Sequence, residues 1–370
     1  MKRKTLSVLC SVALVGSLLA GCGAAKETPK DNAAPAPAGE ATALKPEGQL
    51  VIAGNGATVE RLFKDEIFKR FNAKYPDVKL TYVPGVATEI VAKVKAQKAA
   101  PQIDIAFIES GEQESGRKEG LWETLSEKDI PNMKNVSKEL AVNENSGVTG
   151  NFTPMGISYN AALAKEKNLP VPTSWNDLAR PEMKGNITLT EVSSNFGRSA
   201  LIMLAYANGG SENKIDPGFE KFKAIAGYMP TFAKSAAQLQ QNLQNKSAVF
   251  TVWTMARSLV QKDAGLDLDF VIPKEGANLV PTVASIVKGA KNPNAAKLFI
   301  DFLLTDDVQK LFATELYYNP ATNVKLPDDI AKKLDFDRSK IVKFDLNVVG
   351  SKTPEWIDRF NKEIAPITGK

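Results

Sequence analysis

The sequence predicts an α/β fold with two lobes. Apolar segments of strand length alternate with longer segments of helical periodicity over most of the chain, which indicates sheets flanked by helices. Roughly 320 residues follow a Pro-rich N-terminal segment, and a chain of that length usually divides its apolar side chains between two cores. Several predicted strands end in small polar residues, and in open α/β sheets such turns are where ligands bind.

The elements follow one another as strand, turn and helix. Residues 50–53 form a short apolar strand that ends in the turn 54–56, and apolar side chains then recur at helical spacing from Val59 to Phe71. Further strands are predicted over residues 78–83, 103–108, 187–190, 249–253, 269–272 and 283–287. Further helices are predicted over residues 89–98, 198–207, 237–244, 255–263, 295–304 and 308–316.

The N-terminus has the order of an export signal. A cationic start precedes an apolar segment over residues 6–20, which is too short for a stable membrane-spanning helix. The tetrapeptide Leu-Ala-Gly-Cys that ends at Cys22 resembles the lipobox of bacterial lipoproteins, which implies removal of residues 1–21 and lipidation of Cys22. Cys10 would leave with the signal peptide, so acylation also accounts for the single thiol of the mature chain.

Residues 22–47 are predicted to be a disordered tether between the lipid and a folded protein that begins at residue 48. They are rich in Ala, Pro, Lys and Glu and have no apolar periodicity, so they cannot bury enough surface to become ordered. We therefore expect the protein to work at the extracytoplasmic face of the cell membrane, either in a periplasm or at the cell surface.

Charge and composition exclude several kinds of function. Lys and Arg number 47 against 42 Asp and Glu, and removal of the three cations at positions 2–4 leaves 44 against 42, so no nucleic-acid partner is expected. The chain has no histidine, which removes the commonest transition-metal ligand and any Ser-His or Cys-His nucleophile. We expect no metal, cofactor or enzyme activity, with a paired-carboxylate hydrolase and a structural surface lipoprotein as alternatives.

The predicted ligand crevice lies at the carboxyl ends of the strands. The turns there cover residues 54–57, 109–111, 190–197 and 253–254, and they are small and polar apart from one large ring, that of Trp253. Tyr317 and Tyr318 are predicted to lie at the edge of the same crevice. The candidate ligand-binding residues are Asn55, Glu109, Ser110, Glu191, Ser193, Ser194, Asn195, Trp253, Thr254 and Tyr318.

A series of short motifs supports a family resemblance. They are Pro-Gln-Ile-Asp-Ile-Ala-Phe at 101–107, Glu-Gly-Leu-Trp-Glu at 119–123, Gly-Ile-Ser-Tyr-Asn at 156–160, Pro-Thr-Ser-Trp-Asn-Asp-Leu at 172–178, Met-Lys-Gly at 183–185, Pro-Lys-Glu-Gly at 273–276 and Phe-Leu-Leu at 302–304. In this order they resemble the spermidine/putrescine-binding branch of bacterial solute-binding proteins, the extracytoplasmic receptors of ABC importers. The resemblance spans residues 48–327.

The resemblance implies a two-lobed type II periplasmic-binding-protein fold, in which each lobe is a mainly parallel sheet flanked by helices. The first lobe would hold residues 48–152 and 281–370, and the second lobe residues 161–272. The segments 153–160 and 273–280 would form a two-segment hinge. The implied partners are a small-molecule solute and an ABC transporter permease, the implied membrane contact is the lipid on Cys22, and the protein would be a monomer.

The nature of the solute stays open. Glu109 and Glu191 could pair with the ammonium groups of a polyamine, and Trp253 could cover its methylene chain. If Trp253 lines the cleft in this way, its replacement by alanine should leave the fold intact, whereas the loss of a core tryptophan should not. The alternative is an anionic or zwitterionic solute at residues 193–198, where serine hydroxyls and a guanidinium meet a predicted helix start, although Ser194 or Asn195 could equally cap that helix.

Overall fold

Two β-sheets that share one long strand organise the protein in a computed structural model, which describes residues 44–369. The predicted signal peptide (1–21), the lipidation site Cys22 and most of the predicted tether lie outside the described residues. The tether ends earlier than predicted, because the carboxylate of Glu47 accepts hydrogen bonds from the backbone N–H groups of Asn294 (3.2 Å) and Ala295 (2.7 Å).

The described residues contain the following elements. The strands are β1 (Gln49–Asn55), β2 (Lys79–Gly85), β3 (Ile105–Glu109), β4 (Val148–Asn160), β5 (Phe250–Thr254), β6 (Leu268–Val271), β7 (Leu279–Ile286) and β8 (Asn319–Pro320). The helices are α1 (Ala57–Leu62), α2 (Phe68–Lys74), α3 (Ala87–Ala96), α4 (Ser110–Lys118), α5 (Ala161–Glu166), α6 (Asn195–Tyr206), α7 (Asp216–Ala226), α8 (Ala236–Gln244), α9 (Met255–Asp263), α10 (Pro293–Leu303), α11 (Asp306–Leu316), α12 (Asp328–Leu334) and α13 (Leu346–Glu363). A π-helical turn, Phe63–Ile67, joins α1 to α2.

The sheets confirm the α/β class but are mixed rather than mainly parallel. In the first sheet, β1 pairs in parallel with β2 and β3, whereas β7 runs antiparallel to both β3 and β4. In the second sheet, β5 and β6 both run antiparallel to β4. The antiparallel pairs arise because the chain enters the second sheet along β4 and returns along β7, so these crossing strands oppose their neighbours.

Strand β4 carries the chain from one sheet to the other. Its residues from Val148 to Pro154 pair with β7, and its residues from Met155 to Asn160 pair with β5 and β6. The return passage lies between β6 and β7. The first passage, between residues 154 and 155, lies inside the predicted hinge segment 153–160, and the second, residues 272–278, overlaps the predicted segment 273–280. That these segments act as a hinge stays a prediction.

Separate hydrophobic clusters underlie the two sheets, and we call each sheet with its cluster a lobe. In the first lobe, aromatic side chains from the first and last thirds of the chain pack together, among them Phe63, Phe107 and Phe312. In the second lobe, Trp175 and Phe219 are buried together with most of α6. Each lobe therefore has the apolar core that its length predicted.

The C-terminal helix corrects one predicted boundary. Residues 281–370 were expected in the first lobe, but Trp356 and Phe360 of α13 belong to the core of the second lobe. The ring of Phe360 lies edge-on to that of Phe232, with 4.8 Å between the centroids. The start of the same helix contacts the first lobe, where Lys118 donates a hydrogen bond to the carbonyl of Asn347 at 2.7 Å.

Two local predictions also need correction. Residues 187–190 form no continuous strand and contribute only single parallel bridges, from Ile187 to Phe250 and from Thr190 to Ala233. Ser110 and Gly111 begin α4 instead of forming a loop after β3.

Candidate functional site

A cavity of about 140 Å³ lies between the lobes, at the carboxyl ends of β1, β3 and β5. Six of the predicted ligand residues line it, namely Asn55, Glu109, Asn195, Trp253, Thr254 and Tyr318. The sheet topology explains why Asn55 and Glu109 lie together. Strands β1 and β3 are parallel neighbours, so Asn55 and Glu109, their last residues, lie at the same edge of the sheet.

The second lobe supplies the opposite wall. Strand β5 ends at Trp253 and Thr254, and the Thr254 hydroxyl accepts a hydrogen bond from the backbone N–H of Arg257 at 3.4 Å, which caps α9. The first turn of α6 adds Asn195 and Phe196 to the lining. The cavity is thus built from both lobes, and a solute held there contacts each of them.

Four predicted ligand residues lie outside this cavity. Glu191 forms an ion pair with Lys234, and the exposed Ser193 points to solvent. The Ser194 hydroxyl accepts a hydrogen bond from the backbone N–H of Phe196 at 3.3 Å, which is the helix-capping role that the sequence left open. Ser110 lines an adjoining cavity of about 260 Å³ that shares Glu109 and Asn195 with the first.

Trp253 lines the cavity and belongs to a hydrophobic core at the same time. Its side chain is 1 % exposed and packs with Leu239, Leu243 and Leu268. The ring therefore cannot be removed without loss of stability, which corrects the expectation for a cleft tryptophan. Its indole N–H has no hydrogen-bond partner within residues 44–369.

Sequence reasoning missed several polar residues of the cavity, namely Asn151, Thr153, Gln240, Arg257, Gln261 and Thr282. Arg257 is the most consequential, because it is a cation in the same cavity as the Glu109 carboxylate. It lies in the first turn of α9, three residues after Thr254. An available signal was that a side chain in the first turn of a helix still faces the crevice from which that helix starts.

Four residues that line this cavity carry unpartnered polar atoms. The side-chain oxygens of Asn55, Asn151 and Gln261 and the indole nitrogen of Trp253 are buried without a hydrogen-bond partner among the described residues. Buried polar atoms are nearly always paired in folded proteins, since an unpaired one costs about 1–3 kcal/mol. These atoms fit a polar solute or ordered water in the cavity.

The charge of Glu109 is set by its surroundings. Burial raises the pKa of Glu109, and the neighbouring Glu112 carboxylate raises it further, while the amide of Asn55 and the guanidinium of Arg257 oppose the rise. Burial likewise raises the pKa of Tyr318, while the Arg257 guanidinium opposes this rise and the Glu109 carboxylate adds to it. An additional cation beside Glu109 would favour its ionised form.

The raised pKa of Glu109 predicts a pH-dependent stability of the empty protein. A carboxyl that prefers to be protonated in the fold contributes stability below its ordinary pKa, about 4.3, and that contribution is lost as the pH rises through the raised value. Glu109→Gln, which is neutral throughout, should therefore melt at a higher temperature than the parent at pH 7.5, with the difference vanishing near pH 4. Melting curves of solute-free protein across this range give the comparison.

A suitable control is Glu127→Gln, because Glu127 is exposed on the surface. It should leave the pH profile unchanged. Parallel profiles for Glu109→Gln and the parent would show that Glu109 is ionised without cost in the empty cavity.

A buried ion pair joins the lobes beside the two cavities. Arg198 on α6 and Glu112 on α4 approach to 2.7 Å, and their side chains are 5 % and 13 % exposed. Arg198 also lines the adjoining cavity. Since each partner comes from a different lobe, the pair exists only while the lobes stand as the structure shows them.

Two general findings concern the described residues as a whole. Between residues 44 and 369, no group of three or more His, Cys, Asp or Glu side chains is arranged to hold a metal ion. No helix in that part of the chain combines the length and the apolarity needed to cross a bilayer.

Comparison with known proteins decides the family. The family described as "Bacterial extracellular solute-binding protein" matches residues 101–340. The chain belongs to this family. The match confirms the resemblance seen in the sequence, which was to the spermidine/putrescine-binding branch.

Individual relatives agree with this family. The solute-binding protein is 27 % identical over 231 residues to the spermidine/putrescine-binding periplasmic protein of Salmonella typhimurium, which covers 60 % of the chain and 64 % of the relative. It is 22 % identical over 296 residues to a putative 2-aminoethylphosphonate-binding periplasmic protein of the same organism, which covers 77 % of the chain and 80 % of that relative. The match to the first relative thus spans less than two thirds of its length.

A solved structure shows the same fold. A periplasmic binding protein from Actinobacillus pleuropneumoniae with fructose-6-phosphate bound superposes with a TM-score of 0.73 at 24 % identity, covering 86 % of this chain and 99 % of that one. The solute-binding protein therefore has the type II periplasmic-binding-protein fold that the sequence predicted.

Proposed function

We propose that this solute-binding protein captures a small polar solute with an ammonium group in the cavity between its lobes and delivers it to the permease of an ABC importer. The observation that carries the proposal is the acidic, acceptor-rich wall at the ends of β1 and β3. There Glu109 stands beside the unpartnered amide oxygen of Asn55 in a cavity that both lobes enclose. An ammonium group donates up to three hydrogen bonds and brings a positive charge to Glu109, which forms no salt bridge within residues 44–369.

Aromatic side chains support the same solute. The rings of Trp253, Phe196 and Tyr318 line the cavity, and such rings cover methylene groups and attract cations. A relative whose name specifies spermidine and putrescine binding is consistent with an aminated solute. The proposed class of solute is therefore one that carries at least one amine.

Capture is coupled to the arrangement of the lobes. A solute that contacts the end of β3 and the end of β5 together favours the closed protein, because only the closed form offers both sets of contacts. Driving the population from almost all open to almost all closed requires roughly 10⁴-fold tighter binding to the closed form, or about 5.5 kcal/mol. The closed form is then the one that the permease recognises.

We also propose that the protein acts as a monomer held to the outer face of the cytoplasmic membrane by a lipid on Cys22. The lipobox-like tetrapeptide and the export signal before it support this anchor. Cys22→Ser should release the protein from membranes into the soluble fraction, whereas Cys10→Ser should leave it attached. Intact-mass measurement of the membrane-bound form reads the added lipid directly.

Solute capture is tested on purified protein. Native mass spectrometry should reveal a copurified amine, and after its removal an amine panel should shift the melting transition. One site filled at a hundredfold excess over its Kd stabilises the fold by about 2.7 kcal/mol. Glu109→Gln should weaken amine binding roughly tenfold or more, because a charge-assisted hydrogen bond of about 1.5–3 kcal/mol is lost.

The control Glu127→Gln should bind like the parent. If no small solute stabilises either the parent or Glu127→Gln, the protein is instead a structural surface protein with a vestigial cavity.

A further inference from the structure

The second lobe contributes a cation to the wall of the cavity. Arg257 lines the cavity with its guanidinium carbon 5.7 Å from the ring centroid of Phe196 and 5.9 Å from that of Trp253. Within residues 44–369 this guanidinium forms no salt bridge. Two aromatic faces thus hold a cation in place at the cavity wall, with its charge left for a further partner.

A second donor lies beside this guanidinium. The indole N–H of Trp253 belongs to a side chain that is 1 % exposed, lines the cavity and has no acceptor among the described residues. A buried N–H without an acceptor is rare, since its desolvation goes uncompensated. The guanidinium and the indole N–H together form a donor site for a negatively charged group.

The two ends of the cavity belong to different lobes. Glu109 and Asn55 end strands of the first sheet, whereas Trp253 ends β5 of the second sheet and Arg257 follows it on α9. A solute with an ammonium group at one end and an acidic group at the other satisfies both. A diamine would place its second ammonium group against Arg257, and these two positive charges would repel each other.

We propose that the solute is a zwitterion, whose ammonium group binds at Glu109 and Asn55 and whose carboxylate, phosphonate or similar acidic group binds at Arg257 and the Trp253 indole. This inference rests on the proposed capture of an amine and names its second charged group. Arg257 is then the specificity-determining residue, because it selects the zwitterion over the diamine.

Three probes of one length test the proposal. They are 1,4-diaminobutane, 4-aminobutanoate and butanedioate, which share a four-carbon chain and differ only in the charges at its ends. Calorimetric titration uses the full mature protein, emptied of copurified solute. The parent should bind 4-aminobutanoate roughly tenfold or more tighter than either of the other two, because only this probe finds a charge partner at both ends.

Variants of Arg257 and Trp253 test whether these residues bind the acidic end of the probe. Arg257→Gln should weaken 4-aminobutanoate roughly tenfold or more and leave 1,4-diaminobutane unchanged or tighter, since a like charge is removed. Lys262→Gln is the matched control, because Lys262 lies on the same helix, outside the cavity, and pairs with Asp269 at 2.6 Å. It should change neither affinity. Trp253→Phe should weaken the zwitterion and spare the diamine.

The outcomes separate this inference from the proposed function. Tightest binding of 1,4-diaminobutane, weakened by Glu109→Gln and indifferent to Arg257→Gln, overturns the zwitterion and leaves amine capture standing. Tightest binding of butanedioate, indifferent to Glu109→Gln, overturns both. If none of the probes binds, retention of the copurified solute decides: loss of that solute in both Glu109→Gln and Arg257→Gln supports the zwitterion, and its retention in Arg257→Gln overturns it.

Discussion

Trp253→Ala is expected to lower the free energy of unfolding by about 3–5 kcal/mol, the usual cost of removing a large aromatic side chain from a core. The ring is almost wholly buried against Leu239, Leu243 and Leu268, and a hole of its size cannot close around it. Chemical denaturation of solute-free protein, followed by circular dichroism, measures the loss. An unchanged midpoint would show that the ring is not part of the core.

Trp253→Phe separates packing from hydrogen bonding at the same position. Phenylalanine keeps much of the ring volume and removes the indole N–H, so the fold should lose far less stability than in Trp253→Ala. The removed N–H has no hydrogen-bond partner between residues 44 and 369. Any drop in solute affinity that exceeds the drop in stability is therefore assigned to the missing donor.

Arg198→Met is expected to cost about 3–5 kcal/mol, because it leaves the Glu112 carboxylate buried without its partner. Methionine keeps the apolar stem of the arginine side chain and removes its guanidinium, so most of the loss reports the missing charge partner. The measurement is again the unfolding free energy of the empty protein. Small-angle X-ray scattering shows in addition whether the lobes separate once the pair is gone.

A double-mutant cycle isolates the ion pair itself. Arg198→Met combined with Glu112→Gln removes both charges, and it should recover most of the stability that Arg198→Met loses. Lys362→Met is the surface control, since Lys362 and Asp358 form an exposed pair worth roughly 0–1 kcal/mol. A coupling energy no larger than that of the surface pair would mean that Arg198 and Glu112 do not hold the lobes together.

The sequence predicted the strands that carry the site better than the strand that joins the lobes. Strands β1, β3 and β5 are short apolar segments that end in polar turns, so their pattern is local. Strand β4 contains Asn151, Pro154 and Gly156, which are residues that break strands in most contexts. All thirteen of its residues are buried, and pairing with β5, β6 and β7 overrides their local preferences.

The site was predictable only where backbone topology decides the position of a side chain. Asn55 and Glu109 meet because two parallel strands end together, which the sequence pattern contains. Glu191 was expected in the cavity but pairs with Lys234, and such a contact between distant residues has no local signal. Arg257 was not predicted as a site residue because it lies inside a predicted helix. Its position only three residues after the end of β5 brings it to the cavity.

The C-terminal helix could not be assigned to a lobe from its own sequence. Its apolar face, with Trp356 and Phe360, fits any core of sufficient size, and only the three-dimensional packing shows that the second lobe receives it. The assignment to the first lobe came from the family resemblance alone.

The two ends of the described chain are consequently fixed to different halves of the molecule. The Glu47 carboxylate accepts a hydrogen bond from the start of α10 in the first lobe, and the backbone N–H of Gly369 donates a hydrogen bond to the carbonyl of Met229 in the second lobe. A rotation of one half against the other changes the separation between these ends unless one of them lies on the rotation axis. A donor and an acceptor dye attached near residues 45 and 368 would therefore make the protein a fluorescent reporter of its own closure, without a label near the cavity.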